Sequence, residues 1–135
     1  MNTNPDFVGD AVWALAWTLV DQKFFQSEQD GLSRSNRKNM VNSNVLMELL
    51  GREFGVKPRK AHGFGAVKKY ATGLEWIYGK TALKKGIGVA VKHAYETILK
   101  YVDLEKLANW SRCYKGGTIT TKAARKILIL WEDCF

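Results

Sequence analysis

The sequence predicts an all-α domain. Proline occurs only at positions 5 and 58, and few runs alternate polar with apolar residues as strands do. Apolar runs of helical period are separated by helix start and stop signals. With 135 residues the chain is long enough for one domain with its own core, and its 46% hydrophobic and 25% charged residues are typical of a globular protein.

The first predicted helix begins at Asn4-Pro5, where asparagine caps free amides and proline at the first helical position loses no hydrogen bond. It runs to about Lys23, and a polar loop covers Gln26 to Gly31. A periodic apolar stripe is predicted to form its inner face. The stripe consists of Val8, Val12, Leu15, Ala16 and Leu19.

A second helical stretch covers about Leu32 to Phe54. The short polar side chains of residues 42–44 compete for the backbone, so they predict an interruption with a new helix start. Gly55 predicts the end of this stretch. Its inner face is predicted to contain Val45, Leu46, Leu49, Leu50 and Phe54.

The second half begins with an irregular, basic loop from Val56 to Gly65. Helices are then predicted over about Val67–Leu83, over about Gly88–Tyr101, from a cap at Asp103 to about Tyr114, and over Thr121–Trp131. The last of them is expected to turn Ala124, Ile127, Leu128 and Trp131 inward.

The sequence offers no membrane segment and no metal-binding cysteine pattern. No stretch approaches the roughly 20 uninterrupted apolar residues that a membrane helix requires. The two cysteines, Cys113 and Cys134, lie in a chain without an export signal, which predicts an intracellular protein with free thiols, in the cytoplasm or in an organelle. Two cysteines and two histidines at these spacings form no zinc pattern.

Charge is distributed unevenly along the chain. Residues 1–56 contain five Lys/Arg and seven Asp/Glu, whereas residues 57–135 contain sixteen and six. A basic half beside a half that contributes acids indicates a bound polyanion together with a metal. A solvated basic surface explains the charge equally well.

Two pairs of oxygen-bearing side chains stand out. Asp6 and Asp10 are spaced i, i+4, and Thr72 and Glu75 are spaced i, i+3, so each pair shares one helix face. Such hard oxygen ligands suit Mg²⁺, with Mn²⁺ as a substitute, and the ion supplies charge neutralisation and an activated water for phosphodiester hydrolysis.

Of these acids, Asp6 has a strong structural explanation, and Asp10 and Glu75 are harder to explain without a function. An acid at position 6 stabilises the helix dipole by about 0.3–1 kcal/mol without any metal. Asp10 follows Gly9, and a glycine inside a helix indicates the close approach of another backbone. Glu75 lies among apolar neighbours, so it is either partnered or used.

The two segments resemble a known family. Asp6-Phe7-Val8-Gly9-Asp10-Ala11-Val12 resembles the signature helix of ribonuclease III domains, usually Glu-Phe-Leu-Gly-Asp-Ala-Val. Residues 70–75, Tyr-Ala-Thr-Gly-Leu-Glu, followed by Gly79, resemble the second acidic motif of the Mini-III ribonucleases, which lack a double-stranded RNA-binding domain. Mini-III proteins typically have Thr where other members have Asp, as at Thr72 here. Residues 40–46 and 59–63 match the family loosely, and the resemblance covers roughly residues 5–100.

The resemblance implies a single ribonuclease III-type helical endonuclease domain over residues 1–135, without a separate RNA-binding domain and active as a two-fold dimer. It implies that Asp10 and Glu75 are the catalytic metal ligands, that Asp6 and Thr72 are further metal contacts, and that the cofactor is Mg²⁺. Phe7 falls at the aromatic position that enters the partner subunit in this family.

Basic side chains near the Glu75 helix are the best candidates for RNA contacts, because a helical dimer can read the shape of A-form RNA while lysines neutralise phosphates. The first set is Lys57, Arg59, Lys60, Lys68 and Lys69, and the second is Arg34, Arg37 and Lys38. We interpret Lys80, Lys84 and Lys85 as a solvated helix end. By their spacing, Trp13, Trp17, Trp76 and Trp131 are expected in the core.

Three functions are consistent with the sequence. The first is a metal-dependent endoribonuclease that cleaves double-stranded RNA, with Mini-III-like processing of structured, ribosomal RNA precursors as what the resemblance implies. The second is a non-cleaving RNA-binding or ribosome-associated module of the same fold, which Thr72 in place of Asp and Asp6 in place of Glu keep open. The third is a helical protein-interaction domain with incidental charge.

Overall fold

The computed structural model describes residues 4–60 and 69–130, and it is all-α, as the sequence predicts. Its seven helices are α1 (Pro5–Phe24), α2 (Gly31–Val41), α3 (Asn44–Phe54), α4 (Lys69–Lys85), α5 (Ile87–Tyr101), α6 (Leu104–Cys113) and α7 (Thr121–Ile127). Within the described ranges, the one pairing of extended backbone is an isolated bridge between Val102 and Leu128.

Short polar side chains begin most of the helices. The side chain of Ser43 accepts a hydrogen bond from Leu46 N and so starts α3, which confirms the predicted interruption between α2 and α3. Asp103 begins α6 in the same way, as predicted. Asn4 differs from the prediction, since its side chain makes no cap hydrogen bond and its carbonyl oxygen instead accepts from Phe7 N.

Helices α1 and α4 pack backbone to backbone at the centre of the molecule. A Cβ atom added to Gly9 would lie 1.6 Å from the carbonyl oxygen of Glu75, and one added to Gly79 would lie 1.7 Å from that of Pro5. The pairing of residue 9 with 75 and of residue 5 with 79 means that the helices run antiparallel. The close approach predicted from Gly9 is therefore confirmed.

Helix α3 bonds to the first described turn of α4. The Glu48 side chain in α3 accepts hydrogen bonds from Tyr70 N and Ala71 N, both at 2.8 Å, and so satisfies amides at the start of α4. Gly51 allows the same close packing, because a Cβ there would lie 2.4 Å from Tyr70 O. The end of α3 at Gly55, with φ of 65°, is as predicted.

The buried face of α1 differs from the predicted stripe. Val12 and Ala16 are buried as expected, but Leu15 and Leu19 are 43% and 46% exposed. The core side of α1 instead contains Trp13, Trp17 and Val20. Nearly the whole circumference of α1 is apolar, so periodicity alone did not identify the inner face.

The C-terminal part also differs from prediction. Helix α7 ends at Ile127, four residues before the predicted end at Trp131, because the chain turns extended at Leu128 to pair with the end of α5. Ile129 N donates to Tyr101 O, and Asp103 N donates to Ile127 O. Leu128 is buried as predicted, whereas Trp131 and Cys134 lie outside the described residues.

Helix α6 docks on α2 through a buried amide. The Asn36 side chain donates to Ser111 O at 2.9 Å and to Tyr114 O at 3.0 Å. These bonds satisfy carbonyls at the C-terminal end of α6. Cys113 in the same turn is a free, exposed cysteine. None of the described helices is long and apolar enough to span a bilayer.

Candidate functional site

The predicted catalytic acids lie where α1 crosses α4. Asp10 directly follows Gly9, whose backbone contacts that of Glu75. The two acids therefore lie at about the same height along the axes of the paired helices. Asp10 is exposed and Glu75 is half-buried. Both acids are on the rigid central pair of helices, which fits a site that must hold its ligands in a fixed geometry.

The other two predicted metal contacts line a cleft together with predicted RNA contacts. This cleft, which we call the basic cleft, has a volume of about 450 Å³. Asp6 of α1 and Thr72 of α4 line this cleft together with three basic residues, Lys57, Arg59 and Lys60. Its lining consists of Asn4, Pro5, Asp6, Lys57, Pro58, Arg59, Lys60, Thr72 and Trp76.

Residues 56–60 have no regular structure, as predicted, and two backbone contacts hold them on α4. A Cβ at Gly73 would lie 2.3 Å from Lys57 O, so the chain approaches the helix closely at this glycine. Arg59 N donates to Lys69 O at 2.9 Å. The loop therefore carries its basic side chains along the flank of α4. The predicted loop residues 61–65 lie outside the described residues.

Trp76 is the residue of the basic cleft whose role the sequence did not indicate. The Arg59 guanidinium lies 3.6 Å from the centre of its ring, and Lys80 Nζ lies 5.2 Å from it. The Trp76 ring thus holds the Arg59 and Lys80 side chains by cation–π attraction, one helical turn from Thr72. The expectation that Trp76 belongs to the core is wrong, since it is half-buried and lines the basic cleft, whereas Trp13 and Trp17 are in the core as predicted.

The four predicted donors are oxygen atoms: Asp6 and Thr72 line the basic cleft, whereas Asp10 and Glu75 are not in its lining. Asp10 is exposed, Asp6 and Glu75 are half-buried, and Thr72 is buried. Among the described residues, no group of three or more His, Cys, Asp or Glu side chains is arranged to hold a metal. Magnesium is usually held by one or two carboxylates and keeps several of its waters, so it needs no such group. The all-oxygen donors of Asp10, Glu75, Asp6 and Thr72 suit magnesium or manganese better than zinc, which prefers Cys and His ligands.

The remaining predicted RNA contacts are distributed over two surfaces. Lys69 is exposed at the start of α4, close to the basic cleft, and Lys68 lies outside the described residues. Arg34 and Lys38 are exposed on α2. Lys84 and Lys85 are exposed at the end of α4, as expected for a solvated helix end.

The prediction that Arg37 contacts RNA is wrong. Its side chain is completely buried, with Nε donating to Asp21 Oδ1 at 2.6 Å and Nη2 donating to Glu28 O at 2.7 Å. The guanidinium also lies 4.4 Å from the centre of the Phe25 ring. A charge that is enclosed and paired in this way cannot meet a phosphate, so Arg37 is structural.

Phe7, the predicted interface residue, is 61% exposed on α1. Ala11, Leu15 and Leu19 follow it at helical spacing, and all three are exposed. Together these four residues form an apolar strip along α1, which we call the α1 strip. An exposed apolar strip on a helix is typical of a protein–protein contact.

Comparison with family models, with curated proteins and with solved structures finds no match to this chain.

Proposed function

We propose that the protein is a magnesium-dependent endoribonuclease that cleaves double-stranded RNA, with Mini-III-like processing of structured RNA precursors. The observation that carries the proposal is the basic cleft, where Asp6 and Thr72 share walls with Lys57, Arg59 and Lys60. The sequence motifs of α1 and α4 and the packing of these helices support it further.

The charges of the basic cleft suit a phosphodiester. Lys57, Arg59 and Lys60 would neutralise phosphate oxygens, and the carboxylate of Asp6 faces the same space. The lining therefore combines three side chains that neutralise phosphate oxygens with one carboxylate that offers an oxygen donor to a metal, which supports binding of a nucleic acid together with a metal.

Asp10 and Glu75 are the carboxylates that would hold magnesium, and Asp6 and Thr72 offer further oxygen donors. When bound, the ion would neutralise charge on the phosphoryl group and lower the pKa of a water. Thr72 is buried, and its hydroxyl would orient a water by hydrogen bonding. The basic residues would hold the strand and keep the scissile phosphate in register.

We also propose that the active unit is a two-fold homodimer. One domain carries one pair of central acids, so cutting both strands of a duplex in a single encounter requires a second copy. A two-fold contact uses the same patch of each subunit, and the α1 strip with Phe7 offers such a patch beside the Asp10 helix face.

The test is cleavage of a duplex RNA by the purified protein in the presence of Mg²⁺. We expect Asp10→Asn and Glu75→Gln each to lower the rate by at least about a hundredfold, since a bound ion contributes several kcal/mol. Glu105→Gln, an exposed acid on α6, is the matched control and should cut as the wild type does. Equal cutting by all four proteins would overturn the proposal.

A non-cleaving module of the same fold is the second candidate, and Thr72 at the place of an acid favours it. Such a module would bind duplex RNA with a salt-dependent affinity but leave it intact with either Mg²⁺ or Mn²⁺. Lys57→Gln/Lys60→Gln should lower the salt dependence in both cases. A complete lack of RNA affinity would contradict both RNA-binding functions and would favour a helical protein-interaction domain.

A further inference from the structure

A second basic surface lies on α6 and α7, apart from the basic cleft. Two clefts, of about 600 Å³ and about 680 Å³, share the side chains of Lys106, Lys122 and Lys126. We call the combined surface the α6–α7 groove. One side of it also contains Asn109, Trp110 and Thr120, and the other contains Asp103, Arg125, Leu128 and Ile129.

The positive charge of the α6–α7 groove is concentrated. Its lining contains four basic residues, Lys106, Lys122, Arg125 and Lys126, and one acid, Asp103. Lys122 and Lys126 are spaced i, i+4 on one helix face, where like charges destabilise a helix by about 0.2–0.5 kcal/mol. A bound anion would reverse that repulsion.

Carboxylates in the described ranges do not neutralise these lysines. None of the ion pairs within residues 4–60 and 69–130 involves Lys106, Lys122 or Lys126. The one carboxylate in the lining is that of Asp103, and its Oδ1 already accepts from Lys106 N as the cap of α6. The three ammonium groups are therefore available to an external anion.

Trp110 gives the groove an aromatic wall. Its ring stacks on that of Tyr114, with centres 4.4 Å apart and planes 24° apart. The Tyr114 carbonyl is in turn held by the Asn36 side chain, so the stacked pair is anchored to α2. A partly exposed indole held in place beside lysines is the arrangement used to stack bases of single-stranded nucleic acid.

We propose that the α6–α7 groove binds a single-stranded RNA segment, with its phosphates on Lys106, Lys122 and Lys126 and one base against Trp110. A base in a duplex is covered by its neighbours, whereas an unpaired base exposes a face for stacking. The groove would therefore select unpaired RNA. This activity goes beyond cleavage of a duplex at the central helices, and it would let the protein hold an unpaired stretch that flanks a duplex.

The first test is the affinity for a short labelled single-stranded RNA, measured by fluorescence anisotropy over a range of salt in the presence of EDTA. We expect Lys122→Gln/Lys126→Gln to reduce the slope of log affinity against log salt by about 0.7 for each phosphate that the variant no longer neutralises. Lys84→Gln/Lys85→Gln removes the same charge from the end of α4 and should change neither the slope nor the affinity. Equal effects of the two variants would overturn the proposal.

The second test removes the aromatic wall without changing charge. We expect Trp110→Leu to weaken single-strand binding by about 5- to 150-fold at an unchanged salt slope, since stacking on one aromatic side chain has that effect per base. Circular dichroism and the free energy of unfolding show that the variant is folded. Unchanged binding by a folded Trp110→Leu protein contradicts base stacking.

A third arm replaces the RNA with a polyglutamate peptide. Binding of the peptide but not of the RNA would overturn the proposal in favour of an acidic protein partner. Because the titrations contain EDTA, they do not depend on cleavage. Absent single-strand binding with intact duplex cutting overturns the groove alone, and absent cutting with intact binding overturns the nuclease alone.

Discussion

At the scale of the residue, Gly9 sets the distance between the two central helices. Its Cα lies against the main chain of Glu75, where a Cβ would come within 1.6 Å of the carbonyl oxygen. The obstacle is backbone, so it cannot rotate away as a side chain could. Any other residue at position 9 must push α1 away from α4 and so separate Asp10 from Glu75.

We therefore predict that Gly9→Ala lowers the free energy of unfolding by about 1–3 kcal/mol or more, as overpacking of a core does. Gly88→Ala is the control, because Gly88 is helical and has nothing within 4 Å of its added Cβ. That change should raise the stability by about 0.5–1 kcal/mol through helix propensity. Urea unfolding measures both, and equal effects would show that the close approach is absent.

Arg37 is the second decisive residue, because its guanidinium is buried against Asp21 and Glu28. We predict that Arg37→Met lowers the free energy of unfolding by about 3–5 kcal/mol, since it leaves the Asp21 carboxylate buried without its partner. Asp21→Leu/Arg37→Met should be less destabilised than Arg37→Met alone, because no charge then remains unpaired. Thermal and urea unfolding give the values.

Arg34→Gln is the matched control for Arg37. Both arginines are in α2, but Arg34 is exposed, so its removal should change stability by no more than about 0.5 kcal/mol. A destabilisation of Arg34→Gln equal to that of Arg37→Met would contradict the burial of Arg37.

Residue type alone predicted the close helix approach at Gly9, but it did not predict the burial of Arg37. Glycine inside a helical pattern has few uses, so the close approach followed from the residue type. An arginine in the polar helix α2 looks the same in sequence whether it meets solvent or a buried acid. The distinction depends on Asp21, sixteen residues earlier, and on the turn of the chain between α1 and α2.

At the scale of the element, helix ends were predictable and helix faces were not. Caps at Ser43 and Asp103 and the stop at Gly55 are local interactions, so their sequence signals are sufficient. The cap of α4 by Glu48 joins residues 22 apart and has no local signal. The exposure of Leu15 and Leu19 depends likewise on which neighbours cover α1.

Tyr78 joins α4 to α5. It is buried beneath His93, and its hydroxyl donates to Thr97 Oγ1 at 3.0 Å. Burial raises the pKa of Tyr78 to about 12 from its ordinary value of 10.0. A neutral phenol is therefore favoured in the folded protein, and its contribution to stability is complete below pH 10.

We predict that this contribution, on the order of 2–3 kcal/mol, is lost as the pH rises from 10 through 12, because the unfolded chain ionises first. The measurement is the difference in unfolding free energy between the wild type and Tyr78→Phe, below pH 10 and near pH 12. Taking the difference cancels the titration of the other residues. A difference independent of pH would contradict the raised pKa.

At the scale of the whole molecule, the charge asymmetry of the sequence becomes two separate basic surfaces. Lys57, Arg59 and Lys60 line the basic cleft beside α1 and α4, and Lys106, Lys122 and Lys126 line the α6–α7 groove. The sequence predicted the first from its place near Glu75. It did not indicate the second, because the resemblance seen in the sequence covers only roughly residues 5–100 and the groove forms only when α7 packs against α6.

The α1 strip is an apolar surface that is exposed in the described part of the chain, so it is suited to contact with another molecule. Phe7, Leu15 and Leu19 are each more than 40% exposed, and they lie on the helix that carries Asp10. A two-fold contact through this helix would set the two copies of Asp10 at a fixed separation, which the proposed nuclease needs in order to cut both strands of one duplex together. A test of the number of subunits is therefore also a test of how the proposed nuclease would cut both strands.

We predict that the wild type sediments as a dimer and that Leu15→Glu/Leu19→Glu sediments as a monomer, because burying the introduced carboxylates would cost several kcal/mol. The monomer should keep its helical circular dichroism, since both leucines are exposed within one chain. Leu32→Glu, at a 63% exposed leucine on α2, is the control and should stay dimeric. A wild type that is monomeric at every accessible concentration would disprove the dimer, and duplex cutting by that monomer would require both strands to be cut by one site in turn.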